Sequence, residues 1–150
     1  MGCGAAKTVT VTRTVTAPPP GLPDAVALTH SRLLAAATSG DYERLRPLIP
    51  ATGFEYTFGI DMQGGPIAFW KKQTGGQKPI EVLASILKLP YTLNHGLYIW
   101  PFAYDKRKSD LTAYERRLLG PLKGYAGQDY YGWRAGIRPD GTWLFFIAGD

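Results

Sequence analysis

Side chains suited to catalysis or metal binding are few in this chain and widely scattered. The 150 residues include one cysteine, Cys3, and two histidines, His30 and His95. These are too few soft ligands for a structural zinc site. The sequence also contains no phosphate-binding loop, dinucleotide fingerprint or G-x-S-x-G elbow. We therefore predict neither a metal nor a cofactor; metal binding through oxygen ligands alone stays open, but no residue pattern supports it.

Four residues are candidates for a general base because they lie near predicted strand ends or in glycine-containing connections. An Asp or His can abstract a proton when its pKa suits the task. Residues in such connections are exposed by default, so we favour a solvated loop over a catalytic role for Asp61, His95, Asp105 and Asp129. His30 falls on an apolar helix stripe, where a hydrogen-bonded core histidine is more common. No catalytic residue is predicted.

Aromatic side chains are the feature that this sequence has in excess, with 4 Trp, 9 Tyr and 6 Phe. Tyr98 and Trp100 are two positions apart and share one face of a predicted strand. With Tyr56 and Arg134 they form a candidate pocket for a small apolar or anionic ligand, in which the arginine orients a polar group. The alternative is that the segment PIEVLASILKL fills this space and the aromatic rings pack on it.

The charge balance does not specify a partner. The net charge of +5 arises from 17 Lys and Arg against 12 Asp and Glu, which favours solubility. Basic residues cluster at positions 106–108 and 116–117, but Asp105, Asp110 and Glu115 interrupt them. A solvated surface explains this cluster better than a nucleic-acid site does. No run approaches the roughly 20 apolar residues of a membrane-spanning helix.

Residues 1–21 differ in composition from the rest of the chain. A Thr/Val alternation is followed by Pro18, Pro19 and Pro20, without an aromatic or leucine side chain to offset the entropy of ordering. We predict a flexible tether here and a single domain at residues 22–150. The Thr/Val alternation also fits an edge strand.

The first residues resemble the mature start of a bacterial lipoprotein. Gly2 precedes Cys3, and Gly4, Ala5 and Ala6 follow it. The resemblance implies lipidation of Cys3 and a membrane-anchored domain in the bacterial cell envelope, facing outside the cytoplasm. Myristoylation of Gly2 is disfavoured because Ala6 stands where that motif takes Ser or Thr. The alternatives are an unmodified thiol and a cytoplasmic protein.

Two N-terminal helices are predicted from local signals. Proline at the first position and a carboxylate in the first turn favour a helix that begins at Pro23 and Asp24 and runs to about residue 38, with Gly40 as its stop. A second short helix begins at Asp41, and Pro47 must kink or end it.

The middle of the chain has three further helix signals. Two helices are predicted between Gly64 and Pro90, each with proline at the first helical position. The second of them is apolar nearly all round, which places it against the sheet. Thr112 and Glu115 form a capping box for a last short helix, which ends at Gly120.

Alternating and aromatic runs predict four strands, at residues 54–59, 96–104, 130–138 and 142–148. Pro101 argues for an edge or a bulge in the second run. The last two runs flank Pro139-Asp140-Gly141 and form a terminal hairpin, and the final strand is apolar on both faces, which predicts a place inside the sheet. The fold class is therefore α+β, with a curved antiparallel sheet against the N-terminal and central helices.

This order of elements is similar to the nuclear-transport-factor-2-like cone, the superfamily that includes SnoaL-like proteins. The similarity rests on Gly40-Asp41-Tyr42, Leu45, the strand after them and the hairpin from Trp133 to Ile147. It implies a curved sheet that wraps around a helix and leaves a pocket. The middle third departs from the family pattern, which has a long first hairpin and more strands.

Two functions remain open at the level of sequence. The missing catalytic set and the lipoprotein-like start favour a non-catalytic, envelope-tethered binding or scaffold domain. The cone resemblance implies the alternative, a small isomerase, dehydratase or hydrolase with an Asp or His base. Fold alone does not decide between them, because one fold hosts many functions.

Overall fold

The computed structural model describes residues 19–120 and 124–149. The predictions for Cys3, for the Thr/Val alternation and for most of the tether concern residues outside these ranges. Within them, four α-helices and six strands are present. The strands form an antiparallel four-stranded sheet and a separate two-stranded sheet, which confirms the α+β fold class.

The four α-helices begin where the local signals placed them. The α-helices are α1 (Asp24–Ser39), α2 (Gly65–Lys71), α3 (Pro79–Leu87) and α4 (Ala113–Leu119). Gly40 ends α1 with a left-handed φ of 73°, a conformation that glycine adopts without a steric penalty. The capping box at α4 is confirmed, because Thr112 and Glu115 each accept a hydrogen bond from the other's backbone N–H at 3.0 Å.

The helix predicted at Asp41 is a 3-10 helix, Tyr42–Leu48, capped by the Asp41 carboxylate. Pro47 lies inside it. Proline has no N–H to donate to the carbonyl four residues earlier, so this sequence does not favour a regular α-helix. Two further 3-10 helices span Phe102–Asp105 and Lys108–Asp110.

The main sheet has the order β1-β2-β5-β6. Its strands are β1 (Thr92–Asn94), β2 (Leu97–Trp100), β5 (Arg134–Ile137) and β6 (Trp143–Ile147), while β3 (Tyr125–Ala126) and β4 (Asp129–Tyr130) form the small sheet. The terminal hairpin is confirmed. Its turn lies against α1, because Thr29 Oγ1 donates to the Gly141 carbonyl at 2.5 Å. A Cβ at Gly141 would lie 2.8 Å from the Ala25 carbonyl oxygen, so this close approach requires glycine.

The prediction of a strand at residues 54–59 is wrong. Only Glu55 pairs there, in a parallel bridge to β6: its N–H donates to Leu144 O and its carbonyl accepts from Phe146 N–H, both at 3.0 Å. Instead of continuing a strand, the chain turns back after Tyr56, and the tyrosine side chain stabilises this turn. Its hydroxyl donates to the Met62 carbonyl at 3.1 Å and accepts from the Met62 N–H at 2.8 Å.

The strand predicted at residues 96–104 is too long, because β2 ends at Trp100 and a 3-10 helix follows Pro101. The edge or bulge inferred from Pro101 is also wrong. β2 lies between β1 and β5, and the proline follows its last paired residue, where no ladder hydrogen bond is lost. β1 was not predicted. It is joined to β2 by His95 and Gly96, whose φ values of 49° and 78° are those of a tight hairpin turn.

The final strand β6 is at one end of the sheet order rather than inside it. Its burial is uneven, because Trp143, Phe146 and Ile147 are buried while Leu144 and Phe145 are half-buried. Among residues 19–120 and 124–149, the sheet is extended beyond β6 only by the Glu55 bridge.

Two apolar clusters hold the elements together. In the larger one, α3 packs against both α1 and β5, and fully buried side chains from helices and strands meet, among them Leu33, Trp70, Leu83, Trp100, Trp143 and Phe146. The smaller cluster consists of Leu89, Phe102, Ala103, Leu111, Leu119 and Tyr130. The C-terminal end of α3 lies where the two clusters approach each other, since Leu87 belongs to the larger one and Leu89 to the smaller.

Candidate functional site

An apolar groove of about 460 Å³ lies beside the C-terminal end of α3. We call it the His30 groove. Its lining residues are Pro19, Pro20, His30, Leu87, Lys88, Leu89, Pro90, Tyr91, Tyr114 and Leu118. Grooves of this size, mostly apolar with few polar groups, are typical of small-ligand sites.

His30 lies at 3% exposure on the inner face of α1, which confirms its prediction as a core histidine. Its Nε2 is 2.7 Å from the Leu87 carbonyl oxygen. A carbonyl can only accept, so Nε2 carries the ring proton and Nδ1 is the unprotonated nitrogen of the neutral ring. Leu87 is the last residue of α3, so His30 also satisfies a helix-end carbonyl that has no partner within the helix.

Burial sets the charge state of His30. Desolvation lowers the pKa of its imidazole below the ordinary value of 6.5, and the hydrogen bond to the Leu87 carbonyl opposes this effect only in part. The ring is therefore neutral at pH 7. The groove has an uncharged histidine in its wall and not a second cation.

A row of packed rings joins two residues that line the groove, His30 and Tyr91, through Trp100. The His30 and Trp100 rings are 5.0 Å apart at 28°, and the Tyr91 ring lies 5.5 Å from Trp100 and 5.6 Å from Tyr98. Trp100 is fully buried. Such offset and tilted pairs stabilise one another, so the row holds Tyr91 in a defined position at the surface.

Tyr91 also contacts the segment at Pro20 and Gly21 that precedes α1. Its hydroxyl donates to the Pro20 carbonyl at 3.0 Å. Gly21, with a φ of 84°, passes so close that a Cβ there would lie 2.9 Å from the same hydroxyl. Pro19 and Pro20 are thereby placed next to Tyr91 in the wall of the groove.

Among the described residues that line the groove, Lys88 carries the only charge. It follows α3 directly and is exposed. None of the ion pairs found among residues 19–120 and 124–149 uses it. The groove therefore combines an apolar surface with one cation at its rim.

The structure brings together only two of the four residues predicted as a pocket. Tyr98 and Trp100 share the helix-facing side of β2 and both contact Tyr91. Trp100 pairs with Ala135 across β2 and β5, so the neighbouring Arg134 points to the opposite face of the sheet. There its guanidinium lies 5.7 Å from the rings of Phe58 and Tyr104.

Tyr56 lies apart from these residues. It is buried, packs on Phe69 at 5.6 Å, and lines another groove of about 670 Å³ with Glu55 and Asp61. The ligand-binding roles of Tyr56, Tyr98, Trp100 and Arg134 stay predictions. Tyr91, Lys88 and Tyr114 were missed, because the first two lie in the short α3–β1 connection, the third lies on α4, and together they follow no motif.

The candidate bases are distributed over the surface. Asp61 is exposed in the loop that precedes α2, and His95 occupies the β1–β2 turn. Asp105 is an acceptor for Asn94 Nδ2 at 3.2 Å, and Asp129 is exposed in β4. Within the described ranges, no three His, Cys, Asp or Glu residues come together as a metal site.

The basic residues near α4 are exposed, and two of them have partners within the protein. Lys106 forms an ion pair with Glu115, and an Arg116 Nη2 donates to the Lys108 carbonyl at 3.4 Å. Glu115 thus neutralises one member of the cluster, as its place in the sequence suggested.

The sequence matches no family model, and no curated protein or solved structure matches it significantly. Of the helices in the described parts of the chain, none is both long enough and apolar enough to cross a membrane.

Proposed function

We propose that this chain is a non-catalytic, envelope-tethered binding domain, and that a small ligand with an apolar body and an anionic group occupies the His30 groove. The observation that carries the proposal is the combination of an apolar groove with a single lysine at its rim. Burial of apolar surface provides affinity, and the cation orients the ligand.

The position of the groove supports the binding role. The row formed by His30, Trp100, Tyr91 and Tyr98 is rooted in the larger apolar cluster. A wall that is fixed before the ligand arrives loses little conformational entropy on binding. The resemblance to the cone superfamily also implies a pocket, which a curved sheet leaves where it wraps around a helix.

Decanoate is a suitable probe because it has a ten-carbon tail and one carboxylate. We expect saturable binding by calorimetry, with decan-1-ol binding about threefold more weakly since it cannot pair with Lys88. Acetate, which lacks the tail, should not bind. Lys88→Gln should remove the difference between decanoate and decan-1-ol.

Tyr114→Glu tests the location. Tyr114 is 63% exposed, so the variant should fold, while its carboxylate repels the ligand and weakens decanoate binding about tenfold. The matched control is Tyr131→Glu, another exposed tyrosine, which is outside the groove. Equal affinity of both variants for decanoate would overturn the proposed site.

The tether is tested separately at Cys3. Lipid chains contribute about 0.8 kcal/mol per buried methylene, so two or more chains hold a domain of this size at a membrane. When the gene is expressed in a bacterium from its natural start, we expect the protein in the membrane fraction and the Cys3→Ser variant in the soluble fraction. Equal release of both would remove the envelope assignment and leave the groove proposal standing.

A further inference from the structure

A second groove, separate from the His30 groove, lies between the α2–α3 connection and Trp133, the residue before β5. Its volume is about 620 Å³, and its wall is formed by residues 73–77 with Pro79, Val82 and Trp133. We call it the Trp133 groove. None of the described residues that line it carries a charge.

Trp133 supplies an indole surface to this groove. It is half-buried, whereas the indoles of Trp70, Trp100 and Trp143 are buried at 0–1% exposure. Its ring packs on Phe146 with centroids 4.6 Å apart and an interplanar angle of 30°. One side of the indole is therefore held by the core while part of its surface lines the groove.

Uncharged polar residues line the groove together with this indole. Gln73 and Gln77 each bring an amide, which both donates and accepts, and Thr74 brings a hydroxyl. Gly75 and Gly76 add backbone without side chains, and a Cβ at either position would meet no atom within 4 Å. A ligand can thus approach the backbone N–H and C=O groups of the loop.

We propose that the Trp133 groove binds a neutral sugar chain. The apolar C–H face of a sugar ring packs on an indole, and its hydroxyls require donors and acceptors in about equal number, which amides and backbone provide. An ionic ligand would be desolvated here without a countercharge. A purely apolar ligand would leave the amides unpaired.

Chitotriose, cellotriose and maltotriose are the probes, each titrated calorimetrically into the whole chain. We expect at least one to bind saturably and to shift the tryptophan emission, because Trp133 is the accessible indole. Trp133→Phe, which retains a ring to pack on Phe146, should weaken binding of that sugar about tenfold or more.

Gln77→Ala provides a second variant that does not touch the core, since Gln77 is exposed. It should weaken binding of the same sugar several-fold, while Gln63→Ala, an exposed glutamine outside the groove, should not. The proposal is overturned if none of the three sugars binds, or if the affinity is the same in Gln77→Ala as in Gln63→Ala. Decanoate binding should be unchanged in all of these variants, so this test fails independently of the His30 groove.

Discussion

At the scale of a single residue, the buried His30 makes the stability of the fold depend on pH. Its pKa is lowered in the folded chain because burial disfavours the imidazolium. The unfolded chain takes up its proton near pH 6.5. Between these two pKa values the unfolded state binds more protons, so the free energy of unfolding rises with pH and levels off above about pH 6.5.

We therefore expect the urea midpoint of the wild type to fall as the pH is lowered below about 6.5. His30→Gln has no titrating ring, so its midpoint should depend less on pH between 5 and 7. His95→Asn is the matched control, because His95 is exposed and Asn tolerates the positive φ of that turn. A pH slope in His30→Gln as steep as in His95→Asn would contradict this assignment.

At the scale of elements, the β5–β6 pair depends on Gly136. It faces Phe145 across the ladder, and a Cβ at Gly136 would overlap the Phe145 ring. The missing side chain gives this ring room to lie over β5. Such a ring covers the glycine and compensates in part for its weak strand propensity.

Gly136→Ala should lower the free energy of unfolding by about 1–3 kcal/mol, since the ring must move out of its place. Gly76→Ala is the control, because a Cβ there meets no atom within 4 Å. This control should change the stability by no more than about 0.5 kcal/mol in urea titrations. Equal stability of the two variants would show that Phe145 does not occupy this position.

Elements with local signals were predictable from the sequence. Pro23 and Gly40 mark the start and end of α1, and Thr112 and Glu115 cap α4. Pro139-Asp140-Gly141 forms the turn of the last hairpin. Each of these signals acts within a few residues, so it can be recognised in the sequence. The failures involve distant partners. Glu55 meets β6, which lies about ninety residues further along the chain, and no pattern near Glu55 reveals this pairing.

At the scale of the whole molecule, the candidate site was only partly predictable. The shared face of Tyr98 and Trp100 follows from the two-residue period of a strand. The place of Arg134 on the opposite face depends on the β2–β5 register, which pairs Trp100 with Ala135 and which sequence does not provide. The contact of His30 with Leu87 likewise joins two helices that are separated in the chain.

The molecule also exposes an apolar surface elsewhere. In the loop before α2, Phe58, Ile60 and Met62 are 49%, 69% and 46% exposed. A ligand with an apolar tail has this loop as a competing location, since the hydrophobic effect is not directional. Locating the bound ligand is therefore more decisive than detecting its binding.

The most direct measurement is a two-dimensional amide NMR titration of the isotope-labelled chain with decanoate. We expect saturable shifts concentrated at the amides of Leu87, Lys88, Leu89, Tyr91, His30, Tyr114 and Leu118, with smaller changes elsewhere. Shifts concentrated at residues 57–62, or no saturable shift at any residue, would contradict the assignment of the His30 groove as the binding site.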